Sequence, residues 1–367
     1  MQSTVLVLGG AGFIGSHVCK KLNEVGYLPV SYDNLSSGHR WAVQWGPLEF
    51  ADLSDASRLE EVLYRYRPVA IMHFASFIEA GESVTDPARF YANNVVGTLN
   101  VLHAMRRAHV DRIVFSSSAA VYGTPDTLPI AEHHKVAPVS PYGTTKSICE
   151  AMLRDFAGAY GIRSISLRYF NAAGADPEAI IGEAHDPETH LIPLVLEAAA
   201  GIRPCISIFG DRYNTSDGTC CRDYVHVSDL ADAHISAMHR LESGEGAQVF
   251  NLGTGRGATV YDVIAAARRV THRAIPVRIV SPRSGDPASL VADPSMARSK
   301  LGWVPEFPEL EIQIGHAWQW FRRYRSITRR HPRCSTVVPF PATKGRPNGA
   351  RTDFHLSDSR VGRNAPD

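Results

Sequence analysis

The chain has 367 residues, of which 44% are hydrophobic and 20% charged, a composition typical of a globular protein with one large or two moderate cores. Its 38 basic and 37 acidic residues leave a formal net charge of +1. No overall field therefore favours nucleic acid or an anionic membrane as a partner, and any anionic ligand must be held by local groups.

The N-terminal segment MQSTVLVLGGAGFIGSH predicts a strand, a loop and a helix. No basic region precedes its apolar run and four glycines interrupt it, which argues against a secretion signal or a membrane span. The six cysteines show no C-x-x-C spacing and are interpreted as reduced thiols of a cytoplasmic protein. The pairs His133–His134 and His185–His190 lack the spacing and companion ligands of a metal site, so no metal is predicted.

Short β-branched or apolar runs alternate with segments of helical period through the first half of the chain. The predicted strands are Val5–Leu8, Val30–Tyr32, Ala70–Phe74, Arg112–Ser116 and Ser164–Tyr169, and helices are predicted near residues 14–25, 55–66, 88–108 and 142–160. Such alternation is typical of βαβ units. It predicts an α/β fold with a Rossmann-type, doubly wound parallel sheet.

Beyond about residue 175 the pattern loosens into loops rich in Gly, Pro, Asp and His. A helix is predicted near 190–200, strands at 206–209 and 248–251, and helices near 228–241 and 259–270. We interpret residues 1–175 as a dinucleotide-binding domain and 176–330 as a smaller, mixed α/β substrate-binding lobe, some segments of which return to the first domain. Residues 331–367 mix Pro, Gly, Arg and Ser without apolar periodicity, which predicts a disordered tail.

Three glycines, Gly9, Gly12 and Gly15, lie directly after the first strand and at the start of the first helix. They let the backbone approach a pyrophosphate at a helix N-terminus, where N–H groups and the helix dipole favour an anion. Asp33 ends the next strand, eighteen residues past Gly15, where an acidic side chain accepts from a ribose 2′-hydroxyl and repels a 2′-phosphate. The pattern predicts NAD rather than NADP. Asp52 is interpreted either as an adenine contact or as a plain helix cap.

Ser118 ends a predicted strand, and Tyr142 and Lys146 lie four residues apart at the start of a helix, on one face. A phenol with its ordinary pKa near ~10 is a poor base. The ammonium of Lys146 and the positive charge of an oxidised nicotinamide would lower that pKa, and Ser118 could share the proton of a reacting hydroxyl with Tyr142. The pattern predicts proton transfer coupled to hydride transfer.

These motifs form part of a longer ordered series that resembles the UDP-glucose 4-epimerases, within the extended short-chain dehydrogenase/reductase family. The match runs from the glycine loop to about residue 325 and comprises GGAGFIGSH, DNLSSG, HFASFIEAGES, NNVVGT, SSSAAVYG, SPYGTTK, LRYFNAAGA, GTCCRDYVHV and GDPASLVAD. The resemblance implies tightly held NAD, Tyr142 as the base, Lys146 as its activator and Ser118 as its partner. It also implies a homodimer, for which the helices near 88–108 and 142–160 could form the interface.

The resemblance further implies two sets of binding residues. Besides the glycine loop and the three catalytic residues, the implied cofactor contacts are Phe13, Ile14, Asp33, Asn34, Asp52, Leu53, Phe74, Ala75, Asn93 and Phe170. Besides Ser118 and Tyr142, the implied nucleotide-sugar contacts are Asn171, Leu191, Phe209, Arg222, Arg283, Asp286 and Leu290. Guanidinium forks suit a diphosphate, so Arg222 and Arg283 are also candidates on physical grounds, with surface ion pairs as the alternative.

The expected activity is interconversion of UDP-glucose and UDP-galactose through a 4-keto sugar, with hydride transferred to bound NAD and back. Dehydratases of the family carry an Asp-Glu pair after the strand serine or threonine, whereas this chain has Ala119-Ala120, which argues against elimination. The alternatives are a 4-epimerase of UDP-glucuronate, a UDP-pentose or UDP-N-acetylglucosamine, a nucleotide-sugar dehydrogenase or reductase, and an inactive NAD-sensing protein.

Three positions depart from the family pattern. Ile78 stands where many of these epimerases have a lysine near the cofactor phosphates, and Ala120 replaces a frequent threonine. Leu290 occupies the gate of the sugar pocket, where the family uses a bulky residue to exclude N-acetyl sugars and a small residue to admit them. Leucine is intermediate in size, so the sequence leaves the choice of sugar open.

Overall fold

A computed structural model describes residues 2–244, 246–283 and 285–330, without the side chains of 327–330. The predicted disordered tail, 331–367, lies outside the described residues. The strands are β1 Thr4–Leu8, β2 Leu28–Asp33, β3 Leu48–Phe50, β4 Ala70–His73, β5 Arg112–Ser118, β6 Arg163–Tyr169, β7 Asn171–Ala173, β8 Ile206–Phe209, β9 Cys221–His226, β10 Ala247–Leu252, β11 Gly257–Thr259, β12 Val277–Val280 and β13 Ser289–Leu290.

The helices alternate with these strands through the first half of the chain and dominate the C-terminal part. They are α1 Phe13–Glu24, α2 Ala56–Tyr66, α3 Ala80–Thr85, α4 Pro87–Phe90, α5 Gly97–Ala108, α6 Pro141–Tyr160, α7 Leu191–Ala199, α8 Val227–Arg240, α9 Val260–Thr271, α10 Ser295–Leu301 and α11 Leu310–Arg330. Among the described residues, no helix has the length and apolar character needed to cross a membrane.

Seven strands form the main sheet, in the order β10-β6-β5-β4-β1-β2-β3, and every pair in it is parallel. The predicted Rossmann-type, doubly wound sheet is confirmed. Chain order reverses between β1 and β4, and ligands of such sheets bind outside the carboxyl ends of the strands at this reversal. The topology therefore directs the search for a site to the segments that follow β1, β4 and β5.

The first strand shows why both faces of the sheet are covered. Val5 and Val7 pack into a cluster with residues of α1 and α8, whereas Leu6 and Leu8 pack on the other face against residues of α2 and α5. Side chains alternate along a strand, so an uninterrupted apolar run requires a helix layer on each side. Each of these four side chains is fully buried, which stabilises the fold by roughly 1.5 to 3 kcal/mol per side chain.

The segment predicted as one helix over 88–108 is divided in the structure. The short helix α4 is followed by a π-helical turn, Tyr91–Val96, and then by α5. Turns of this kind are rare and occur often at functional sites. Two neighbouring asparagines of this turn have different environments. Asn93 lines the cleft described below. Asn94 is buried, and its side chain accepts from the N–H of Phe77 and donates to the carbonyl of Phe77.

The rest of the chain forms a second group of strands and helices around its own apolar cluster. The strand β9 pairs with β7, β11 and β13, and β8 pairs with β12. Helices α7, α9 and α11 pack together over these strands. Neither β9 nor α11 was predicted from the sequence. Two elements from this part of the chain join the main sheet and its helices and not the second group. Helix α8 packs against α1, and β10 pairs with β6 at the edge of the main sheet.

Candidate active site

The glycine loop follows β1 and leads into α1, as predicted. Gly9 has a φ of 81°, and a Cβ there would lie 2.7 Å from the backbone nitrogen of Ala75. A Cβ on Gly15 would lie 2.1 Å from the carbonyl oxygen of Gly9. Both positions thus need glycine for internal packing.

Gly12 differs, because a Cβ there would approach protein only at Gly9 O, at 3.4 Å. It is the N-cap of α1, makes no side-chain cap hydrogen bond, and lines the cleft. A helix N-terminus open to a cleft in this way is suited to a pyrophosphate. The loop therefore fits a dinucleotide.

Asp33 ends β2 beside the glycine loop, where its carboxylate accepts from the backbone N–H of Ala11 at 2.9 Å and of Leu35 at 2.8 Å. Burial raises its pKa, and these two hydrogen bonds oppose the rise. Both bonds fix the orientation of the carboxylate. Each carboxylate oxygen can accept more than one hydrogen bond, so acceptor capacity remains for a ribose hydroxyl.

The two interpretations of Asp52 are separated by the structure. The N-cap of α2 is Asp55, which accepts from the N–H of Arg58, so the helix-cap interpretation of Asp52 was wrong. Asp52 instead accepts from Ser54 N at 2.8 Å and from Asn34 Nδ2 at 2.5 Å. Both Asp52 and Asn34 line the cleft.

One cleft of about 370 Å³ runs from the glycine loop across the carboxyl ends of the strands. Most of the residues predicted to bind the cofactor or the sugar line it. These are Gly9, Gly12, Phe13, Ile14, Gly15, Asp33, Asn34, Asp52, Leu53, Phe74, Ala75, Asn93, Ser118, Tyr142, Phe170, Asn171, Arg222 and Leu290.

Two of the three predicted catalytic residues, Ser118 and Tyr142, line this cleft, and Lys146 bonds to Ser76 and Ser116, which also line it. Ser118 is the last residue of β5, and its Oγ accepts from Ala120 N at 3.1 Å. Tyr142 lies in the first turn of α6, capped by Ser140. Lys146 lies one turn further on, 1% exposed.

Among the described residues, the ammonium of Lys146 hydrogen-bonds to two serines and not to the phenol hydroxyl. Its Nζ donates to Ser76 Oγ and to Ser116 O, each at 2.8 Å, and lies 5.8 Å from the centroid of the Tyr142 ring. Burial lowers the pKa of Lys146 to about 8. Burial raises the pKa of Tyr142 to about 12, although the Ser118 side chain lowers it. The lowering of the phenol pKa that is expected from Lys146 and an oxidised nicotinamide acting together stays a prediction for the nucleotide-bound protein.

The predicted nucleotide-sugar residues separate into an inner and an outer group. Arg222 lines the cleft, and its Nη2 donates to Asp286 Oδ1 at 2.7 Å. The guanidinium of Arg283 lies 3.9 Å over the ring of Phe209. Among the described residues, Leu191, Phe209, Arg283 and Asp286 are outside the cleft lining.

The model of the NAD dependent epimerase/dehydratase family matches residues 5–253. The chain belongs to this family. It is 52% identical over 322 residues to the UDP-glucose 4-epimerase of Rhizobium meliloti (strain 1021), covering 88% of this chain and 98% of that one. The crystal structure of the UDP-glucose 4-epimerase from Brucella ovis in complex with NAD superposes with a TM-score of 0.85 at 50% identity, covering 87% and 98% of the two chains. The enzyme from Bifidobacterium longum, in complex with NAD+ and UDP, gives 0.85 at 36% identity, covering 88% and 99%.

Membership of the epimerase/dehydratase family confirms the predicted resemblance and the predicted NAD cofactor. Two departures from the family pattern lie at the cleft. Ile78 is 37% exposed on the cleft wall, and its N–H bonds to the side chain of its neighbour Glu79. Ala120 also lines the cleft, close in sequence to Ser118.

Sequence reasoning missed several cleft residues. Ser76, which binds Lys146, follows the end of β4, and the position of polar residues after parallel strands was the available signal. The sequence interpretation of His185 and His190 as lacking companions was wrong. Both lie on the cleft with Glu183, and Glu188 completes a compact group with them. Burial opposes the charged form of His190, but Glu183 raises its pKa to about 10.

Proposed function

We propose that this protein interconverts UDP-glucose and UDP-galactose by inverting carbon 4 of the sugar. The observation that carries the proposal is the placement of Ser118 and Tyr142 in the same cleft as the glycine loop and Asp33. Bound NAD supplies a reversible hydride acceptor, which lets the sugar pass through a 4-keto form and return with either configuration. The Ala119–Ala120 pair leaves the cleft without the acid and base that a dehydratase needs beside its serine.

Tyr142 takes the proton of the sugar 4-hydroxyl and gives it back when the ketone is reduced. Ser118 lines the cleft together with Tyr142 and would hold the same sugar hydroxyl, which keeps the proton path short. Lys146 is assigned as the activator of the phenol. Its ammonium is held by Ser76 and Ser116, and its positive charge, together with that of an oxidised nicotinamide, would favour the phenolate form of Tyr142.

The remaining predicted residues are assigned to binding. Residues 1–175 hold NAD, and 176–330 hold the nucleotide sugar, with α8 and β10 returning to the first domain. Arg222 binds the diphosphate: its two bonds to Asp286 and Cys221 O use two of the five guanidinium donors. Leu290 faces the sugar. The UDP moiety is surrounded by Asn171, Leu191, Phe209, Arg283 and Asp286. Asn171 lines the cleft, and the other four lie outside its lining.

A homodimer through α5 and α6 is part of the proposal. Support comes from the exposed Val96 and Tyr160 and from Arg106, whose guanidinium lies 4.8 Å over the Tyr160 ring. A cytoplasmic location is proposed because the five described cysteines, Cys19, Cys149, Cys205, Cys220 and Cys221, are free thiols, as in a reducing compartment. Sedimentation of the purified chain, compared with a Tyr160→Glu variant, tests the dimer.

The deciding experiment incubates the purified protein with UDP-galactose and no added cofactor, and measures UDP-glucose by chromatography. We expect conversion, with a loss of about 10²- to 10⁴-fold in the Tyr142→Phe variant and no change in Tyr64→Phe, an exposed tyrosine far from the cleft.

Parallel reactions with UDP-glucuronate, a UDP-pentose and UDP-N-acetylglucosamine test the choice of sugar. Inversion of one of these with no reaction of UDP-galactose would refute the substrate and keep the chemistry. Net formation of reduced cofactor would instead indicate a dehydrogenase.

A further inference from the structure

Four potential metal ligands converge at the rim of the cleft, all from one segment of eight residues. Glu183, His185, Glu188 and His190 each place one donor atom within 4.8 Å of the other three. The segment precedes α7, and His190 is the N-cap of that helix. The three catalytic residues take no part in this group, and the proposed epimerisation assigns no role to it.

The separations between these donor atoms are close to those of a coordination shell. Glu183 Oε1 lies 2.8 Å from His190 Nδ1 and 3.1 Å from His185 Nδ1. Glu188 Oε1 lies 3.3 Å from His190 Nδ1, and Glu188 Oε2 lies 4.0 Å from His185 Nδ1. Four ligands at Zn–N and Zn–O bond lengths of about 2.0 to 2.2 Å in a tetrahedron are separated by about 3.3 to 3.6 Å. Since the four donor atoms all lie within 4.8 Å of one another, side-chain shifts of about 1 Å would admit the ion.

The carboxylates are more shielded than the imidazoles, and the backbone of the segment is held from outside the group. The exposed fraction of the side chain is 7% for Glu183, 10% for Glu188, 19% for His185 and 38% for His190. Trp320 Nε1 donates to Glu183 O at 2.9 Å, and His39 Nε2 donates to Ala184 O at 2.5 Å. These two bonds hold the backbone of the segment at Glu183 and Ala184.

We propose that Glu183, His185, Glu188 and His190 form a binding site for one divalent transition-metal ion of the zinc class. Two imidazoles with two carboxylates suit zinc better than magnesium or calcium, which prefer shells of oxygen. Four protein ligands complete a tetrahedral shell, and closed zinc sites are structural rather than catalytic. The ion fixes the loop before α7 at the rim of the cleft.

The test uses the full chain purified without a histidine tag, treated with EDTA, dialysed and titrated calorimetrically with ZnCl2. We expect one Zn2+ per chain with a micromolar or lower Kd, and a rise in the thermal unfolding midpoint on adding Zn2+. His185→Ala should weaken binding at least about tenfold, the lower bound for loss of even an outer partner. His185 is chosen because its side-chain hydrogen bonding and ion pairing lie within the group. MgCl2 should produce no thermal shift.

Two further variants make the result decisive. Glu183→Gln preserves shape and should also lose Zn2+ binding, which covers the case in which His185→Ala fails to fold. The control His133→Ala removes an exposed histidine of the His133–His134 pair, and this variant should bind Zn2+ like the parent. Equal affinity in the parent, His185→Ala and Glu183→Gln would overturn the site, as would a parent protein that binds no Zn2+. Neither result depends on whether UDP-galactose is a substrate.

Discussion

The buried ammonium of Lys146 leads to a prediction about stability at alkaline pH. Its side chain is 1% exposed, and burial lowers its pKa from 10.5 to about 8, with Cys149 and Glu150 opposing the change. Between these two pKa values the unfolded chain binds a proton that the folded protein does not bind. The free energy of unfolding must therefore increase as pH rises through this range.

The two pKa values set the size of the effect. From pH 7 to pH 10 they correspond to an increase of about 2 to 3 kcal/mol in the contribution of Lys146 to the free energy of unfolding. A Lys146→Met variant lacks the titrating group, so its stability should not show this rise. The variant also loses the hydrogen bonds to Ser76 and Ser116, but that loss is a constant offset that does not change with pH.

The assay is urea unfolding of the nucleotide-free parent and variant at pH 7, 8, 9 and 10. The stability difference, parent minus variant, should rise by about 2 to 3 kcal/mol. Lys20→Met is the matched control. Burial opposes the charge of Lys20, but Asp176 raises its pKa above 10.5, so its contribution is fully present below 10.5 and is lost only as pH rises through the higher folded pKa. The stability difference for Lys20→Met should therefore stay nearly constant from pH 7 to pH 10. A difference for Lys146 that stays constant within about 0.5 kcal/mol would refute the reasoning.

Three further predictions concern single substitutions. Glu150→Gln should lower the free energy of unfolding by about 3 to 5 kcal/mol. Arg168 is 5% exposed and is paired with Glu150 at 2.5 Å, so the substitution would leave a buried positive charge without its carboxylate. A loss below about 1 kcal/mol in urea unfolding would contradict this. Gly12→Ala should weaken NAD binding at least about tenfold, with little change in melting temperature. Gly15→Ala should instead destabilise the fold, because its Cβ would lie 2.1 Å from the carbonyl oxygen of Gly9. Calorimetric titration with NAD and thermal unfolding distinguish the two effects. Asp33→Asn should reduce the preference for NAD over NADP at least about tenfold, and unchanged dissociation constants for both nucleotides would count against the assigned contact.

The local chemistry of the cofactor and catalytic segments could be predicted from the sequence. The glycine pattern at Gly9, Gly12 and Gly15 is typical of a strand–loop–helix turn that binds a dinucleotide, and the four-residue spacing of Tyr142 and Lys146 sets their common helix face. The alternation of apolar strands and helices predicts the parallel sheet. Each of these predictions uses residue types at short, regular spacings, so a linear pattern contains the information.

The tertiary structure alone decided features that depend on contacts between distant segments. The direction of the Lys146 ammonium depends on Ser76 and Ser116, which lie 70 and 30 residues away in the chain. The pairing of β10 with β6 likewise joins remote segments.

The four-ligand group at Glu183–His190 is local in sequence, but it escaped the sequence prediction. Its spacing matches no common metal motif, and only the folded loop turns the two glutamates toward the two histidines. Sequence spacing specifies side-chain geometry inside regular helices and strands, because their backbone dihedrals are known in advance. In a loop, the contacts made by Trp320 and His39 set that geometry, and those contacts exist only in the folded chain.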